Sequence, residues 1–264
     1  MSARILPGID RGQPIDWGSA SADYAQYRPG PPDQLFAALE AFGIGLPGQR
    51  ILDLGTGTGV VARALAKRGA IVSGIDVSRA QIEEAQQLAA RDGLTIDFRV
   101  APAEEPPFGE RTFEVATANQ CFLYFDRQRV IAELRRVLTP GGRLAISHFN
   151  WLPLSDPIAA ASEALVLRFN PNWQAAGFDG NVGATPDWLP ADVAVEAFLW
   201  FDADVPFTRE SWRGRIRASH GIGASLSLTD VHAFDTQHSE LLDRTTPPSF
   251  TVKHRVDARV LRFP

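Results

Sequence analysis

The sequence predicts an α/β fold built on a mostly parallel sheet, and three observations support this. Short apolar strands alternate with amphipathic helices from about residue 50 to 149, and such strands join by right-handed crossovers into a parallel sheet. A glycine-rich turn with a carboxylate, Asp53-Leu-Gly-Thr-Gly-Thr-Gly59, follows the first of these strands. The last strand instead alternates apolar and polar residues from Phe250 to Val260, which predicts one buried and one solvated face.

The first unit of the sheet begins with a buried strand, Ile51 to Leu54, and continues through the glycine turn into a helix that ends at Gly69. A second strand follows and ends at Asp76, 23 positions after Asp53. A strand, a glycine turn, a helix and a second strand with a terminal acid form a unit that binds nucleosides at the carboxyl edge of a parallel sheet. We therefore expect Asp76 to accept hydrogen bonds from the two hydroxyls of a ribose.

The remaining elements follow from periodicity and from capping residues. Asp33 is expected to cap a helix, Ser78 to open one within a capping box, and Asp126 and Thr208 to cap two more. Strands are predicted at 94–100, 113–118, 143–149 and 193–200, and further helices at about 157–169 and 228–243.

Composition excludes several classes of function. The net charge of -5 argues against a nucleic-acid partner, which needs a basic surface. The sequence has no run of 18 apolar residues and no apolar signal-peptide core, so we expect neither a membrane span nor export. The single cysteine, Cys121, excludes an internal disulfide and favours a cytoplasmic location. Periodicity does not indicate an oligomeric state.

Two ligands compete for the glycine turn. Gly57-Thr-Gly59-Val-Val-Ala62 fits the dinucleotide pattern, but that pattern begins directly after the strand, and here Asp53 and Gly55 come first. A carboxylate would repel a pyrophosphate at the turn, whereas S-adenosylmethionine has no phosphate and carries a cationic amino group and a sulfonium. The electrostatics favour S-adenosylmethionine, and a nicotinamide-dependent oxidoreductase or a purely structural turn is the alternative.

At this point the chain resembles a class I S-adenosylmethionine-dependent methyltransferase. Four motifs carry the resemblance: Leu52-Asp-Leu-Gly-Thr-Gly-Thr-Gly59, Gly74-Ile-Asp-Val-Ser78, Ala103-Glu104 with Pro107-Phe108, and Leu138-Thr-Pro-Gly-Gly-Arg143. They are similar to the small-molecule branch that includes ubiquinone-biosynthesis and trans-aconitate methyltransferases. The resemblance implies methyl transfer to O, N or C of a small, hydrophobic or aromatic metabolite. The alternative from another class is a non-catalytic protein that binds the cofactor without turnover.

The resemblance also implies the architecture: a Rossmann-like, doubly wound, mostly parallel seven-stranded sheet with an antiparallel last strand and an inserted lid. We expect a single domain made of an N-terminal arm and cap helix (1–45), a cofactor-binding core (50–149), a lid insertion (150–192) and C-terminal strands and helices (193–264). The lid is expected because 150–192 is rich in Trp, Pro and Gly and follows the fifth strand at the ligand-binding edge. Its aromatic residues, including Trp173, are expected to form an apolar wall.

Several residues match the cofactor contacts of this family. Asp53 would hold the donor's amino group, directly or through water, and the backbone of the loop after the third strand would meet the adenine edge. Arg28, in a Tyr-x-x-Tyr-Arg-Pro segment, would pair with the donor's carboxylate, although the segment also suits a mobile arm. The full expected set is Tyr24, Arg28, Asp53, Gly55, Thr56, Gly57, Gly59, Asp76, Val77, Ala103, Glu104, Asn119 and Gln120.

Methyl transfer mainly requires alignment of the nucleophile, the methyl group and the sulfur, and a base is needed only for nucleophiles that enter protonated. His148 ends the fifth strand at the ligand-binding edge, and it is a candidate base or substrate anchor together with His220. His238 and His254 lie on apolar faces and are expected to be core residues, and His232 is expected to be solvated. No spacing of His, Cys and Asp predicts a metal site.

Overall fold

The computed structural model describes residues 9–16 and 21–264, without the side chains of Ser21, Ala22 and Tyr24. Its helices are α1 (Ser21–Tyr27), α2 (Asp33–Ala41), α3 (Val60–Lys67), α4 (Arg79–Arg91), α5 (Arg127–Val137), α6 (Pro157–Phe169), α7 (Arg209–Arg217) and α8 (Leu228–Thr245). Its strands are β1 (Arg50–Leu54), β2 (Ile71–Asp76), β3 (Asp97–Val100), β4 (Phe113–Asn119), β5 (Leu138–Trp151), β6 (Ala194–Thr208) and β7 (Ser249–Arg262). Short 3₁₀ helices lie at Asp10–Gly12 and Phe122–Tyr124. The predicted arm at 1–45 thus falls partly outside the described residues.

The strands form one seven-stranded sheet in the order β3-β2-β1-β4-β5-β7-β6. Six strands run parallel and one runs antiparallel, which confirms the predicted fold class. The register places Asp53 of β1 opposite Thr117 of β4, and Asn119 of β4 opposite Ser147 of β5. The carboxyl ends of the central parallel strands therefore meet at one edge, where the glycine turn begins.

Three element starts differ from the sequence prediction. β5 begins at Leu138 rather than at residue 143. β3 begins at Asp97 rather than at residue 94, because Gly93 takes a φ of 69° and Leu94 N–H bonds to Ala89 O at 2.9 Å, which closes the end of α4. Asp33 is the first residue of α2 and does not cap it. The capping roles predicted for the other three positions are confirmed, since Ser78, Asp126 and Thr208 each accept a backbone N–H of their helix.

The last three strands are longer than predicted. β5 extends to Trp151, so this residue belongs to the sheet and not to the proposed insertion. β6 continues eight residues beyond Trp200, to Thr208. The residues after Trp200 continue the alternation of the strand, and Asp202 forms an ion pair with Arg255 of β7. The end of β6 is thus stabilised by paired charges on neighbouring strands, and not by the apolar residues from which the strand was predicted.

The chain divides into two compact units. Unit 1 comprises Met1–Pro29, Asn150–Asn181 and Asp202–Arg255, and unit 2 comprises Gly30–Phe149, Val182–Phe201 and Val256–Pro264. The predicted lid, 150–192, is therefore divided at residue 181, and its action as a lid stays a prediction. In the described parts of the chain, no helix is long and apolar enough to span a membrane.

Each unit has its own apolar core. The core of unit 2 joins β1, β4 and β5 to one face of α5, and includes Leu52, Leu54, Ala116, Ala118, Ile131, Leu134, Leu144 and Ile146. The core of unit 1 is rich in aromatic side chains and includes Trp151, Trp173, Phe207, Trp212 and Phe234. Buried aromatic and aliphatic side chains of this kind dominate the stability of small domains.

Candidate active site

The turn after β1 is built from glycines in the left-handed region. Gly55, Gly57 and Gly59 have φ values of 57°, 55° and 73°, which residues with a Cβ rarely adopt. A Cβ at Gly55 would lie 2.9 Å from Cys121 Sγ, and one at Gly59 would lie 2.8 Å from the Phe98 ring. The turn therefore requires glycine both for its conformation and because neighbouring side chains leave no space for a Cβ.

Asp53 lies at the centre of a buried network. Its two carboxyl oxygens accept hydrogen bonds from the hydroxyls of Thr117 and Thr56, each at 2.6 Å, and the Ala62 N–H at the start of α3 also bonds to the carboxyl group. Burial raises the pKa of Asp53 to about 6, although the hydroxyl hydrogen bonds lower it. Asp53 thus joins β1, β4 and α3. Its predicted contact with a donor amino group, and the predicted ligand contact of Thr56, stay predictions.

Asp76 ends β2 beside the glycine turn. Its Oδ2 accepts the Gly57 N–H at 3.0 Å, and its Oδ1 accepts the Ser78 N–H at 2.8 Å. The side chain is only partly buried, as is the next residue, Val77. Two backbone donors therefore hold a carboxylate in a fixed orientation where the sequence predicts a ribose.

Three N–H groups of the turn are bonded within the protein. Thr56 N donates to Ile75 O and Gly59 N donates to Thr56 O, both at 2.9 Å, and Gly57 N donates to Asp76. These groups precede α3, at the place where an anion would bind a helix N-terminus. The protein's own carboxylates and carbonyls thus occupy donors that a phosphate would need.

The loop after β3 is anchored by Glu104. This side chain is buried, and its Oε1 accepts the N–H of Asp126, the capping residue of α5, at 2.9 Å. Ala103 is also buried. The loop is thus fixed against α5, and its predicted contact with adenine stays a prediction.

Asn119 is the last residue of β4 and Gln120 follows it, and both side chains form hydrogen bonds with β5. Ser147 Oγ donates to Asn119 Oδ1 at 3.0 Å, and the Gln120 side-chain amide donates to Phe149 O. Gln120 has a φ of 64°, an uncommon conformation for a non-glycine residue that is frequent at functional sites. No sequence pattern predicts this backbone conformation at Gln120.

His148 and Asp257 form a pair within unit 2. His148 Nδ1 lies 3.0 Å from Asp257 Oδ1, and the His148 side chain is 21% exposed whereas that of Asp257 is 0% exposed. Arg259 Nη1 lies 3.6 Å from the same carboxyl oxygen. The prediction that Asp257 lies on a solvated face was wrong, because Asp257 is fully buried and pairs with His148 and Arg259. A buried carboxylate needs such partners.

The second candidate base, His220, belongs to unit 1. Its Nε2 accepts the Trp173 indole N–H at 3.1 Å and lies 3.3 Å from Asp10 Oδ2. Burial lowers the pKa of His220, Asp10 opposes this, and the positive charges of Arg28 and Arg215 add to it. Arg28 is therefore close to His220 in unit 1, and its predicted cofactor contact stays a prediction.

The other predicted positions are Tyr24 and three histidines. Tyr24 lies in α1, but its side chain is outside the described residues. His238 and His254 are fully buried and His232 is exposed, as predicted. Among the residues that the structure describes, no three His, Cys, Asp or Glu side chains come together as a metal site.

We compared the sequence with known protein families. Residues 52–146 match the family described as Methyltransferase domain. This segment of the chain is similar to methyltransferase domains. It begins in β1, includes the glycine turn and Asp76, and ends in β5. The resemblance to the S-adenosylmethionine-dependent class is thereby confirmed.

Individual relatives agree with the domain assignment. A ubiquinone biosynthesis O-methyltransferase of Hahella chejuensis is 35% identical over 128 residues, 48% of this chain and 54% of the relative. Methyltransferase GfsG of Streptomyces halstedii is 35% identical over 133 residues, 49% of this chain and 46% of the relative. The chain thus spans about half the length of these curated relatives.

A solved structure supports the fold over a longer range. A protein of Anaeromyxobacter dehalogenans, assigned to the type II methyltransferases, superposes with a TM-score of 0.57 and 23% identity, and covers 89% of this chain and 97% of its own. At this identity the likeness shows the fold alone. The similarity of fold therefore extends beyond the segment that sequence comparison matches.

Two residues of the site were missed by sequence reasoning. Thr117 lies in an apolar strand, 64 positions from Asp53, and only the pairing of β1 with β4 brings them together. Asp257 was assigned to the solvent by alternation. A Thr within an apolar stretch of strand is the signal that could have identified Thr117, whereas Asp257 is one of several polar residues that alternate along β7.

Proposed function

We propose that this protein is an S-adenosylmethionine-dependent methyltransferase that acts on oxygen, nitrogen or carbon of a small, hydrophobic or aromatic metabolite. The observation that carries the proposal is Asp76, a carboxylate fixed by two backbone N–H groups against a turn of left-handed glycines. Oxygen is the acceptor atom we favour, because a curated relative is an O-methyltransferase.

The residues fit this cofactor in shape and in charge. Asp76 supplies the acceptor for a ribose diol. A side chain at Gly55 or Gly59 would clash with Cys121 or Phe98, so the turn keeps its shape only with glycine. Residues 51–62 contain no Lys, Arg or His, whereas Asp53 and Asp76 supply two carboxyl groups near the turn. An amino group and a sulfonium are favoured in such surroundings.

A nicotinamide oxidoreductase is disfavoured by the same turn. A pyrophosphate needs N–H donors at the start of the helix, but Gly57 donates to Asp76 and Ala62 to Asp53. Binding a phosphate there would break these bonds and bring negative charges together. Each broken bond to a charged acceptor costs on the order of 1.5–3 kcal/mol.

S-adenosylmethionine, when bound, supplies a methyl group on a positively charged sulfur. The chain's own residues supply position. Asp76 would hold the ribose hydroxyls, and the Asp53 network fixes the turn relative to β4 through Thr117. Asn119 and Gln120 are fixed by β5 and would orient the acceptor without adding charge. Such alignment is the main requirement of methyl transfer.

Calorimetry with S-adenosylmethionine and S-adenosylhomocysteine tests the proposal. We expect D76A to weaken binding of both by about 1.5–3 kcal/mol, the value for hydrogen bonds to a charged acceptor. D92A is the matched control, because Asp92 is an acid of unit 2 that pairs with Arg63 and Lys67 at the end of α4. No binding to the unmodified protein at millimolar ligand would refute the proposal.

The two alternatives are separated by further ligands. If NADH binds and S-adenosylhomocysteine does not compete, the protein is a nicotinamide oxidoreductase. If S-adenosylhomocysteine binds but a labelled methyl donor modifies no compound in a metabolite screen, the protein binds the cofactor without turnover. The roles of Tyr24, Arg28 and the 150–192 lid belong to this proposal as predictions.

A further inference from the structure

We propose that His148 and Asp257 act together, with His148 Nε2 as the base that takes the proton of a hydroxyl acceptor and Asp257 as the residue that positions it. This rests on the proposed methyltransferase function and narrows the acceptor to a phenol or an alcohol. Asp257 is a positioning residue, because it would act only through the imidazole.

The pair lies at the ligand-binding edge of the sheet. Ser147 is level with Asn119, the last residue of β4, so His148 is one residue beyond that level. Side chains alternate along a strand, and Ser147 faces Asn119. His148 therefore lies on the opposite face of β5. This face also carries Leu144 and Ile146, and His148 follows them at the end of that apolar surface.

Asp257 selects the tautomer of the imidazole. An ionised carboxyl group only accepts hydrogen bonds, and Arg259 beside it supplies a positive charge 3.6 Å away. Nδ1 of neutral His148 must therefore carry the proton that is donated to Asp257 across 3.0 Å. Nε2 then has its lone pair available as a proton acceptor, which is how a buried acid orients a catalytic histidine.

His220 also lies beside an aspartate, but its contacts differ. The Trp173 indole donates to His220 Nε2, and Asp10 lies at the same nitrogen. Its Nε2 lone pair is therefore already used within unit 1. His238 and His254 are 0% exposed, so an acceptor cannot reach them without unfolding their surroundings. The structure thus favours His148 over the other buried histidines as the base.

The proton balance of the step is simple. The acceptor hydroxyl gives its proton to His148 Nε2, and the oxygen electron pair forms the new bond to the methyl carbon. The methyl–sulfur bond breaks with its electron pair on sulfur, so the charge of the sulfonium is lost as the imidazolium forms. The imidazolium remains paired with Asp257 until it releases the proton to water.

Nitrogen-15 NMR of histidine-labelled protein tests the tautomer without any ligand. We expect His148, assigned by its absence in H148Q, to show a protonated Nδ1 and an unprotonated Nε2 in two-bond proton–nitrogen correlations. In D257N an amide can donate to Nδ1, so the proton should move to Nε2. E196Q is the matched control, because Glu196 is another acid of unit 2 paired with an arginine, Arg143, at 2.6 Å, and it should leave the His148 signals unchanged.

Turnover of 3,4-dihydroxybenzoate and of the more acidic 4-nitrocatechol tests the base. H148Q and D257N should lower kcat for the first acceptor by about 100-fold or more, the usual contribution of a general base. KM and the affinity for S-adenosylhomocysteine should change by less than about threefold. The loss should be much smaller for 4-nitrocatechol, because its acidic hydroxyl needs less help to ionise. A purely structural defect would lower turnover of both acceptors equally.

Several results would overturn the proposal. These are an Nε2–H tautomer in the unmodified protein, unchanged kcat in H148Q, or equal losses for the two acceptors. If the unmodified protein binds S-adenosylhomocysteine but methylates neither catechol, the hydroxyl acceptor is wrong while the cofactor site stands. If it does not bind S-adenosylhomocysteine at all, the proposed function fails first, and this outcome is distinct because His148 has no part in that binding.

Discussion

Replacing His254 with glutamine should remove part of the acid sensitivity of the fold. His254 is 0% exposed, its ring stacks on Phe207, and its Nδ1 lies 2.8 Å from Val252 O. Burial lowers its pKa to about 3, and the positive charges of Arg215 and Arg28 add to this effect, whereas the bond to Val252 opposes it. The folded protein therefore keeps this histidine neutral over a pH range in which the unfolded chain protonates it.

The sign and the size of the effect follow from proton linkage. The folded pKa is depressed from 6.5, so the stabilisation is fully present above pH 6.5 and is lost as the pH falls. Each pH unit below 6.5 costs about 1.4 kcal/mol until the folded state also protonates. At about pH 5 the loss from His254 is about 2 kcal/mol, a large fraction of the 5–15 kcal/mol that typically stabilises a domain.

Urea unfolding followed by tryptophan fluorescence at about pH 7.5 and pH 5 measures this effect. Trp151, Trp173 and Trp212 are buried in unit 1 with His254 and report its unfolding. Loss of stacking should make H254Q less stable at the higher pH, but its deficit relative to the unmodified protein should shrink by about 2 kcal/mol at the lower pH. Other titrating groups are shared by both proteins and cancel.

Two further variants make the result decisive. Burial also lowers the pKa of His238 to about 4. The deficit in free energy of unfolding of H238Q, relative to the unmodified protein, should therefore also shrink by about 2 kcal/mol between the higher and the lower pH. His232 lies exposed on the same helix as His238, and H232Q should follow the unmodified protein at both pH values. If the deficits of H254Q and H238Q are the same at both pH values within a few tenths of a kcal/mol, the two histidines are not kept neutral by burial and the reasoning is wrong.

Two more predictions concern the glycine turn and its buried acid. G55A should lower the free energy of unfolding by about 2–4 kcal/mol, because of backbone strain and the contact with Cys121. G48A is the control: Gly48 has a similar φ of 76°, and nothing lies within 4 Å of an added Cβ, so the free energy of unfolding should fall by only about 1–2 kcal/mol. Equal losses in the two variants would contradict the argument from the Cys121 contact. Because the pKa of Asp53 is raised to about 6, its stabilising effect is present below pH 3.8 and is lost as the pH rises through 6. Relative to the unmodified protein, D53N should therefore gain about 2 kcal/mol between about pH 4.5 and pH 7, and a constant difference in urea unfolding would refute the raised pKa.

The sequence allowed prediction of local structure where one residue type has few alternatives. Glycine at 55, 57 and 59 indicated a left-handed turn, and all three have positive φ. Capping residues at Ser78 and Asp126 marked helix starts within a residue, because their side chains bond to the backbone nearby. These contacts join residues close in the chain, so the sequence alone contains both partners.

Contacts between distant strands could not be predicted in the same way. Alternation along β7 placed Asp257 on the solvated face, since the rule assumes that one face of a strand is wet. On that face Thr251 is exposed and Lys253 is partly exposed, but Asp257 is fully buried, and a buried polar residue needs a partner. That partner, His148, is 109 positions away, and no local pattern joins the two.

Three aspartates show how partners rather than residue type decide the role of a carboxylate. Asp53 is buried, which raises its pKa, and it bonds to two hydroxyls, so its hydrogen-bonding capacity is used inside the protein. Asp76 is only partly buried and bonds to two backbone N–H groups, which orient it, while each carboxylate oxygen can accept a second hydrogen bond from a ligand hydroxyl. Asp257 is buried against an imidazole, whose tautomer it can set. The roles proposed for these acids, which are structural support, ligand binding and positioning of a base, therefore differ with the donor that each acid meets.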